Sequence, residues 1–221
     1  MIFVHIPKTA GTSFHAALAA AVAPETISAP FAAFRFSTDD VERMQSHRVI
    51  SGHISIADAD LFPGRRILSI LRDPIDRCVS WYYYAHSQKQ LEGPADVLAA
   101  GTHNIRDFFA LDPAITYRNI VNRQTRQLGG HVLDLEPNMD EAFERAKVTL
   151  RRAAWIGCTE TLDRDIPRLR GLLPHLGPMP TLNTTAKRSP LSRLDADVLA
   201  RIAELNRYDL ELYEFARRLA N

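Results

Sequence analysis

Short apolar segments with strand character alternate with helical segments along the chain, and this alternation calls for a parallel sheet covered by helices on both faces. The strongest strand is "RRILSILRD" (65–73). It ends at Asp73-Pro74, where the aspartate can cap and the proline can take the first position of a helix, "PIDRCVSWYYYAHSQKQ" (74–90). Further strands are expected in "IFVHI" (2–6), which is β-branched and aromatic and stops at a proline, in "RVISGHI" (48–54) and in "AWIGCTE" (154–160). Helices are expected over 13–23, 104–111, 117–128, 138–153, 161–176, 195–205 and 206–219, with loops at 24–38, 92–103 and 177–190. The 221 residues suit one α/β domain spanning 1–221.

The first strand runs into "PKTAGTS" (7–13), and a small-residue helix follows, which Thr12 or Ser13 can cap. These are the ingredients of a phosphate loop: a strand, a lysine, a glycine, hydroxyls and a helix start, whose free N–H groups attract anions. The order is not G-x-x-x-x-G-K-[ST], because Lys8 leads the loop. The alternative is a tight strand-to-helix turn with Lys8 in solvent. A second basic position, Arg72, ends the strongest strand, where ligands bind in open α/β sheets. Residues 73, 76, 77 and 80 share a helical face, so Arg72 and Ser80 can grip a second phosphate. Alternatively Arg72 pairs with Asp73 or Asp76 and Ser80 is a surface hydroxyl. Most of the run Trp81, Tyr82, Tyr83 and Tyr84 is expected in the core.

A formal charge of +1 gives no reason to expect nucleic-acid binding, so any anion site is local. Cys78 and Cys158 read as reduced, partly buried thiols, and the histidines and cysteines show no metal-binding spacing. No secretory signal opens the chain, and "FHAALAAAVAP" is far short of a bilayer span. A cytoplasmic protein without a membrane span is expected.

Two anion grips at two strand ends suggest a ligand with two separate phosphate groups. Here "HIPKTAGTSF" resembles the 5′-phosphosulfate loop of sulfotransferases, and "RDPIDRCVSWYYY" resembles their 3′-phosphate motif. "SGHISIADADLF", "WIGCTETLDRDI" and "TTAKRSP" follow the same order as in the uronyl and heparan sulfate 2-O-sulfotransferases and their bacterial relatives. The resemblance implies a P-loop-like α/β fold and 3′-phosphoadenosine 5′-phosphosulfate as donor, with no metal. It implies that Lys8, Thr9, Ala10, Gly11, Thr12 and Ser13 cradle the 5′-phosphosulfate, with Lys8 neutralising charge on the bridging oxygen. Arg72 and Ser80 would hold the 3′-phosphate, and Thr184, Thr185 and Lys187 would close over the nucleotide. His53, in the matching Gly-His, would be the general base for a hydroxyl acceptor, a glycan or glycolipid. His5 and His15 are alternatives. Arg118, Arg123 and Arg126 recur along one expected helical segment and meet either an acidic acceptor or solvent. Two rival functions are a P-loop kinase, which would want a G-K-[ST] loop and magnesium, and a non-catalytic nucleotide- or glycan-binding protein.

Overall fold

The computed structural model describes residues 1–28, 36–132, 134, 136–182 and 188–220. Four strands, β1 (Ile2–Val4), β2 (Ile50–Gly52), β3 (Ile67–Leu71) and β4 (Trp155–Cys158), form an all-parallel sheet in the order β2-β1-β3-β4. Helices α1 (Gly11–Ala21), α2 (Thr38–Gln45) and α3 (Ile56–Ala59) belong to the first half of the sheet. Between β3 and β4 lie α4 (Pro74–Gln88), α5 (Ala95–Thr102), α6 (Ile105–Ala110), α7 (Pro113–Thr116), α8 (Arg123–Gly129) and α9 (Met139–Arg152). After β4 come α10 (Leu162–Leu169), α11 (Ala196–Leu205) and α12 (Arg207–Ala220).

The strands are buried on both faces, as parallel strands are. Ile2 and Val4 pack with Leu71, Ile156, Leu150 and Leu212 on one face, under α9 and α12. Phe3 points the other way and packs with Phe14, Leu18, Trp155 and Leu169, under α1 and α10. A third cluster joins α4, α5, α6 and α11 through Trp81, Tyr82, Ala100, Phe108, Phe109 and Ile202. Most of the aromatic run of α4 is therefore core, while Tyr84 is exposed. Cys78 and Cys158 are both buried and unpaired.

In register, Ile2 lies level with Ile50 on one side and Ile67 on the other. The chain leaves β1 toward β2, whereas β3 continues to β4 on the opposite side. The sheet thus changes winding direction between β1 and β3, which opens a crevice at their C-terminal ends.

Several expected boundaries differ. Of the expected helix over 117–128, residues 117–122 are turns and the helix starts only at Arg123, after Asn122, which adopts φ 43°. Asparagine tolerates this left-handed geometry, and its Oδ1 accepts hydrogen bonds from the N–H groups of Tyr208 (3.1 Å) and Asp209 (3.2 Å). The expected loop at 92–103 contains α5, whose first turn carries Asp96, bonded to Asn119 Nδ2 at 2.7 Å. The expected helix over 161–176 stops at Leu169, ahead of Gly171 and Pro174, two helix breakers. α2 and α3 were not anticipated, although both carry capping boxes, Ser37 with Asp40 and Ser55 with Asp58. Of the expected loop over 24–38, residues 24–26 form a 3₁₀ turn and Ile27 bridges to Val49.

α8 receives no side-chain cap from Asn122. Instead Asp209 of α12 accepts from the N–H groups of Gln124 (3.0 Å) and Thr125 (2.7 Å). All of these groups are buried. Replacing Asp209 by Ala strands two buried N–H donors, at a cost of about 2–4 kcal/mol. Urea unfolding of Asp209→Ala should register that loss; a change below about 0.5 kcal/mol would contradict the assignment of this cap.

Candidate active site

Beyond β1 the chain makes a tight curl. Lys8 (φ 70°) and Ala10 (φ 62°) are both left-handed, a strained arrangement for residues with a Cβ. Successive amides in such a curl face one concavity and suit an anion. Thr9 is fully buried and braces the curl by donating to the Ile6 carbonyl at 2.8 Å. Its side chain points away from the concavity; only its backbone is available there. α1 starts at Gly11, with Ala10 as a cap that has no side-chain acceptor. Thr12 and Ser13 thus lie inside the first turn and do not cap it, contrary to expectation. Thr12 is exposed, and Ser13 Oγ accepts from the N–H of Leu182 at 3.0 Å. Gly11 passes under the His5 imidazole, where a Cβ would fall 1.9 Å from the ring. This crowding excludes every other residue without a rearrangement of His5.

Arg72 follows β3. Its backbone N–H donates to Gln124 Oε1 (3.1 Å) and its carbonyl accepts from Gln124 Nε2 (2.9 Å). Its guanidinium reaches back to the first loop, donating from Nη1 to the Lys8 carbonyl at 3.0 Å. It also donates from Nε to Asp76 at 2.7 Å, and Arg188 pairs with the same carboxylate. The Lys8 ammonium lies 4.2 Å from the centroid of the Tyr84 ring. Burial, followed by the nearby Arg72 and Arg188 charges, pulls the Lys8 pKa down to about 8. Ser80, one helical turn after Asp76, lines the same cleft. Arg77, on the expected shared face, is instead buried completely and donates to the Ile120 carbonyl at 3.1 Å.

His53 stands just past β2, and His5 just past β1 rather than within it. Their rings lie 4.2 Å apart between centroids. His53 Nδ1 is 2.9 Å from the His5 carbonyl oxygen. A carbonyl only accepts, so Nδ1 carries the proton and Nε2 presents its lone pair. The second lone pair of that carbonyl takes Gln127 Nε2 at 2.9 Å, which also donates to the Ile54 carbonyl at 2.8 Å. Burial lowers the His53 pKa; the bond to His5 opposes this, and the Arg123 charge adds to the lowering. His53 is accordingly neutral at pH 7. Burial, and then His53, push His5 well below the ordinary histidine value. His15 instead meets Ser51 Oγ at 2.8 Å and does not line the cleft.

One cleft of about 1000 Å³ collects Lys8, Ala10, Gly11, Thr12, Ser13, His53, Arg72 and Ser80. Trp81, Tyr84, Arg118 and Arg123 also line it, as do Glu160, Arg170 and the segment Pro178–Leu182. Arg126 does not. The single helical segment expected to carry Arg118, Arg123 and Arg126 starts only at Arg123, and Arg126 is buried as a brace, donating to the carbonyls of Tyr117 (2.7 Å) and Val132 (2.9 Å). Thr184, Thr185 and Lys187 lie outside the described residues. Arg188 beside them was missed, although the "AKRSP" charge pair is visible in the sequence. Gln124 and Gln127 were also missed, since nothing in a sequence marks a glutamine as a buried clamp. Among the described residues, no group of three or more His, Cys, Asp or Glu side chains could hold a metal, and no helix is long and apolar enough to cross a membrane.

The parallel sheet with its winding switch defines a P-loop-like α/β protein, and the uncapped helix start together with Lys8, Arg72 and Arg188 suits its crevice to an anion. The chain belongs to the Sulfotransferase family, whose profile matches residues 1–216. No curated protein shows a significant match to it. Family membership supports sulfuryl transfer as the general chemistry.

The His53 tautomer is directly observable. Imidazole nitrogen NMR of ¹⁵N-histidine-labelled protein at pH 7 should show His53 protonated at Nδ1 alone. Protonation at Nε2 alone would contradict the arrangement around the His5 carbonyl.

Proposed function

We propose that the protein is an O-sulfotransferase that uses 3′-phosphoadenosine 5′-phosphosulfate and modifies a hydroxyl of a carbohydrate acceptor, a glycan or glycolipid. The motif order resembles that of the uronyl and heparan sulfate 2-O-sulfotransferases and their bacterial relatives, which supports this reading. The observation that carries the reading is the meeting, in one cleft, of two separate anion grips and a neutral histidine with a free Nε2. The first grip is the curl at 8–10 with the uncapped start of α1; the second is Arg72 with Ser80.

These residues fit the donor. The left-handed curl at residues 8–10 and the uncapped first-turn amides of α1 suit the 5′-phosphosulfate, and Arg72 and Ser80 suit the 3′-phosphate. When bound, the donor supplies an activated sulfuryl group on a nucleotide bisphosphate leaving group. His53 Nε2 accepts the proton of the acceptor hydroxyl, and the His5 carbonyl stabilises the imidazolium through Nδ1–H. The Lys8 ammonium, in the same cleft, would offset the negative charge that collects on the leaving oxygen. The curl and the start of α1 would hold the phosphosulfate in position for transfer. The protein's own charge is near neutral, so the cleft concentrates positive charge only where the ligand needs it.

Calorimetric titration with adenosine 3′,5′-bisphosphate, in the presence of a chelator, tests the donor class. Binding without metal is expected, weakened about 10–100-fold in Arg72→Ala, as loss of a charge-assisted grip implies. Binding of ATP with magnesium and not of the bisphosphate would overturn the reading. In His53→Ala, bisphosphate affinity should be retained while transfer falls by about 10²–10⁴; unchanged transfer would remove His53 from the chemistry.

The pH dependence of kcat/KM reports the free enzyme. His53 must be neutral, so activity should rise as pH climbs through a value below the ordinary histidine 6.5. Lys8 must be charged, so activity should fall as pH rises past about 8. A profile flat from pH 7 to about 9.5, well beyond the Lys8 value, would contradict the role given to Lys8.

A further inference from the structure

The two guanidinium groups beside Lys8 share a single carboxylate. Arg72 donates to Asp76 Oδ2 from Nε at 2.7 Å and again from Nη2. Arg188 donates to Asp76 Oδ2 from Nη1 at 3.3 Å, and its Nη2 pairs with Asp76 Oδ1. The side chains of Arg72, Asp76 and Arg188 are only 15%, 23% and 20% exposed, so water screens them incompletely. Asp76 is fixed in the first turn of α4, with its N–H bonded to Asp73 Oδ1 at 2.9 Å. Glu160, whose charge also reaches Arg72, is engaged elsewhere, accepting from the Asp73 N–H (3.0 Å) and the Tyr213 hydroxyl (2.6 Å).

We propose that Asp76 is a resident counter-ion that competes with the ligand's 3′-phosphate for Arg72 and Arg188, and so limits nucleotide affinity and speeds release of the bisphosphate product. The inference rests on the reading of Arg72 as the 3′-phosphate grip. Without an acid between them, Lys8, Arg72 and Arg188 would face one another as three like charges. Asp76 offsets that repulsion in the ligand-free protein. An arriving phosphate dianion takes over the task, and the carboxylate is then a like charge at close range. The cost falls on the bound state, so it weakens binding. A nucleotide without a 3′-phosphate leaves the Asp76 pairs intact and does not meet this cost. Product departure limits turnover in many enzymes, and a built-in competitor at the grip favours it.

Asp76→Asn removes the charge while keeping an acceptor for the guanidiniums. The full chain and this variant are titrated calorimetrically with adenosine 3′,5′-bisphosphate and with adenosine 5′-monophosphate. The variant is expected to bind the bisphosphate at least about tenfold more tightly, with the monophosphate changed by less than about threefold. Equal or weaker bisphosphate binding overturns the proposal, because Asp76 would then act by orienting Arg72. An equal gain for both nucleotides also overturns it. Should the wild-type chain bind neither nucleotide, the donor reading fails, and inorganic sulfate still tests the counter-ion. The thermal midpoint of Asp76→Asn should then climb more steeply with sulfate than that of the wild type, and matching slopes would overturn the proposal. Asp76→Ser, which also removes the charge and is tolerated early in helices, serves the same titrations if the asparagine variant does not fold.

Discussion

One buried helix, α8, ties together the strand ends on which the site depends. Gln127 spans the segments after β1 and β2 by donating to the His5 and Ile54 carbonyls, at 2.9 and 2.8 Å. Gln124 holds the segment after β3 through both the N–H and the carbonyl of Arg72, at 3.1 and 2.9 Å. Each such bond is worth only about 1 kcal/mol net, but leaving a buried partner unmade costs about 1–3 kcal/mol. The clamp therefore acts mainly by making alternative positions of the three segments expensive. It places the first loop, His53 and Arg72 around one crevice. α8 is itself held by Asp209 and Asn122, so the C-terminal helix α12 supports the site without lining the cleft.

The cleft gathers positive charge in a chain whose formal net charge is +1. Lys8, Arg72 and Arg188 come from three segments far apart in sequence, and Asp76 pairs with the two arginines. Partial burial makes each of these charges matter more than it would on the surface. The same burial lowers the Lys8 and His53 pKa values. A lysine and a histidine with lowered pKa values in one cleft are a physical signature of a site rather than of a solvated face.

Much of this arrangement is legible in the sequence, for identifiable reasons. Parallel strands buried on both faces must be short and apolar, so "IFVHI" and "RRILSILRD" announce themselves. Ligands of open α/β sheets bind at the strand ends, and Lys8, His53 and Arg72 lie at or near the ends of the expected strands 2–6, 48–54 and 65–73. The less legible parts depend on tertiary contacts. Asn122 breaks a helix because α12 supplies partners for its side chain. Arg126 carries a charge suited to solvent, yet backbone carbonyls from Tyr117 and Val132 hold it in the interior. Gln124 and Gln127 look like surface residues until the strand ends they bridge are known. Gly11 reads as a small residue of the phosphate loop, whereas the His5 ring, 1.9 Å from where a Cβ would fall, is the actual constraint.

A crystal structure of the protein with adenosine 3′,5′-bisphosphate would test the central claim most directly. The account predicts the 5′-phosphate against the backbone amides of residues 8–13 and the 3′-phosphate on Arg72 and Ser80, with His53 Nε2 open to the acceptor side of the cleft. A nucleotide bound with its phosphates away from the first loop, or with Arg72 still paired to Asp76 and no phosphate beside it, would contradict it.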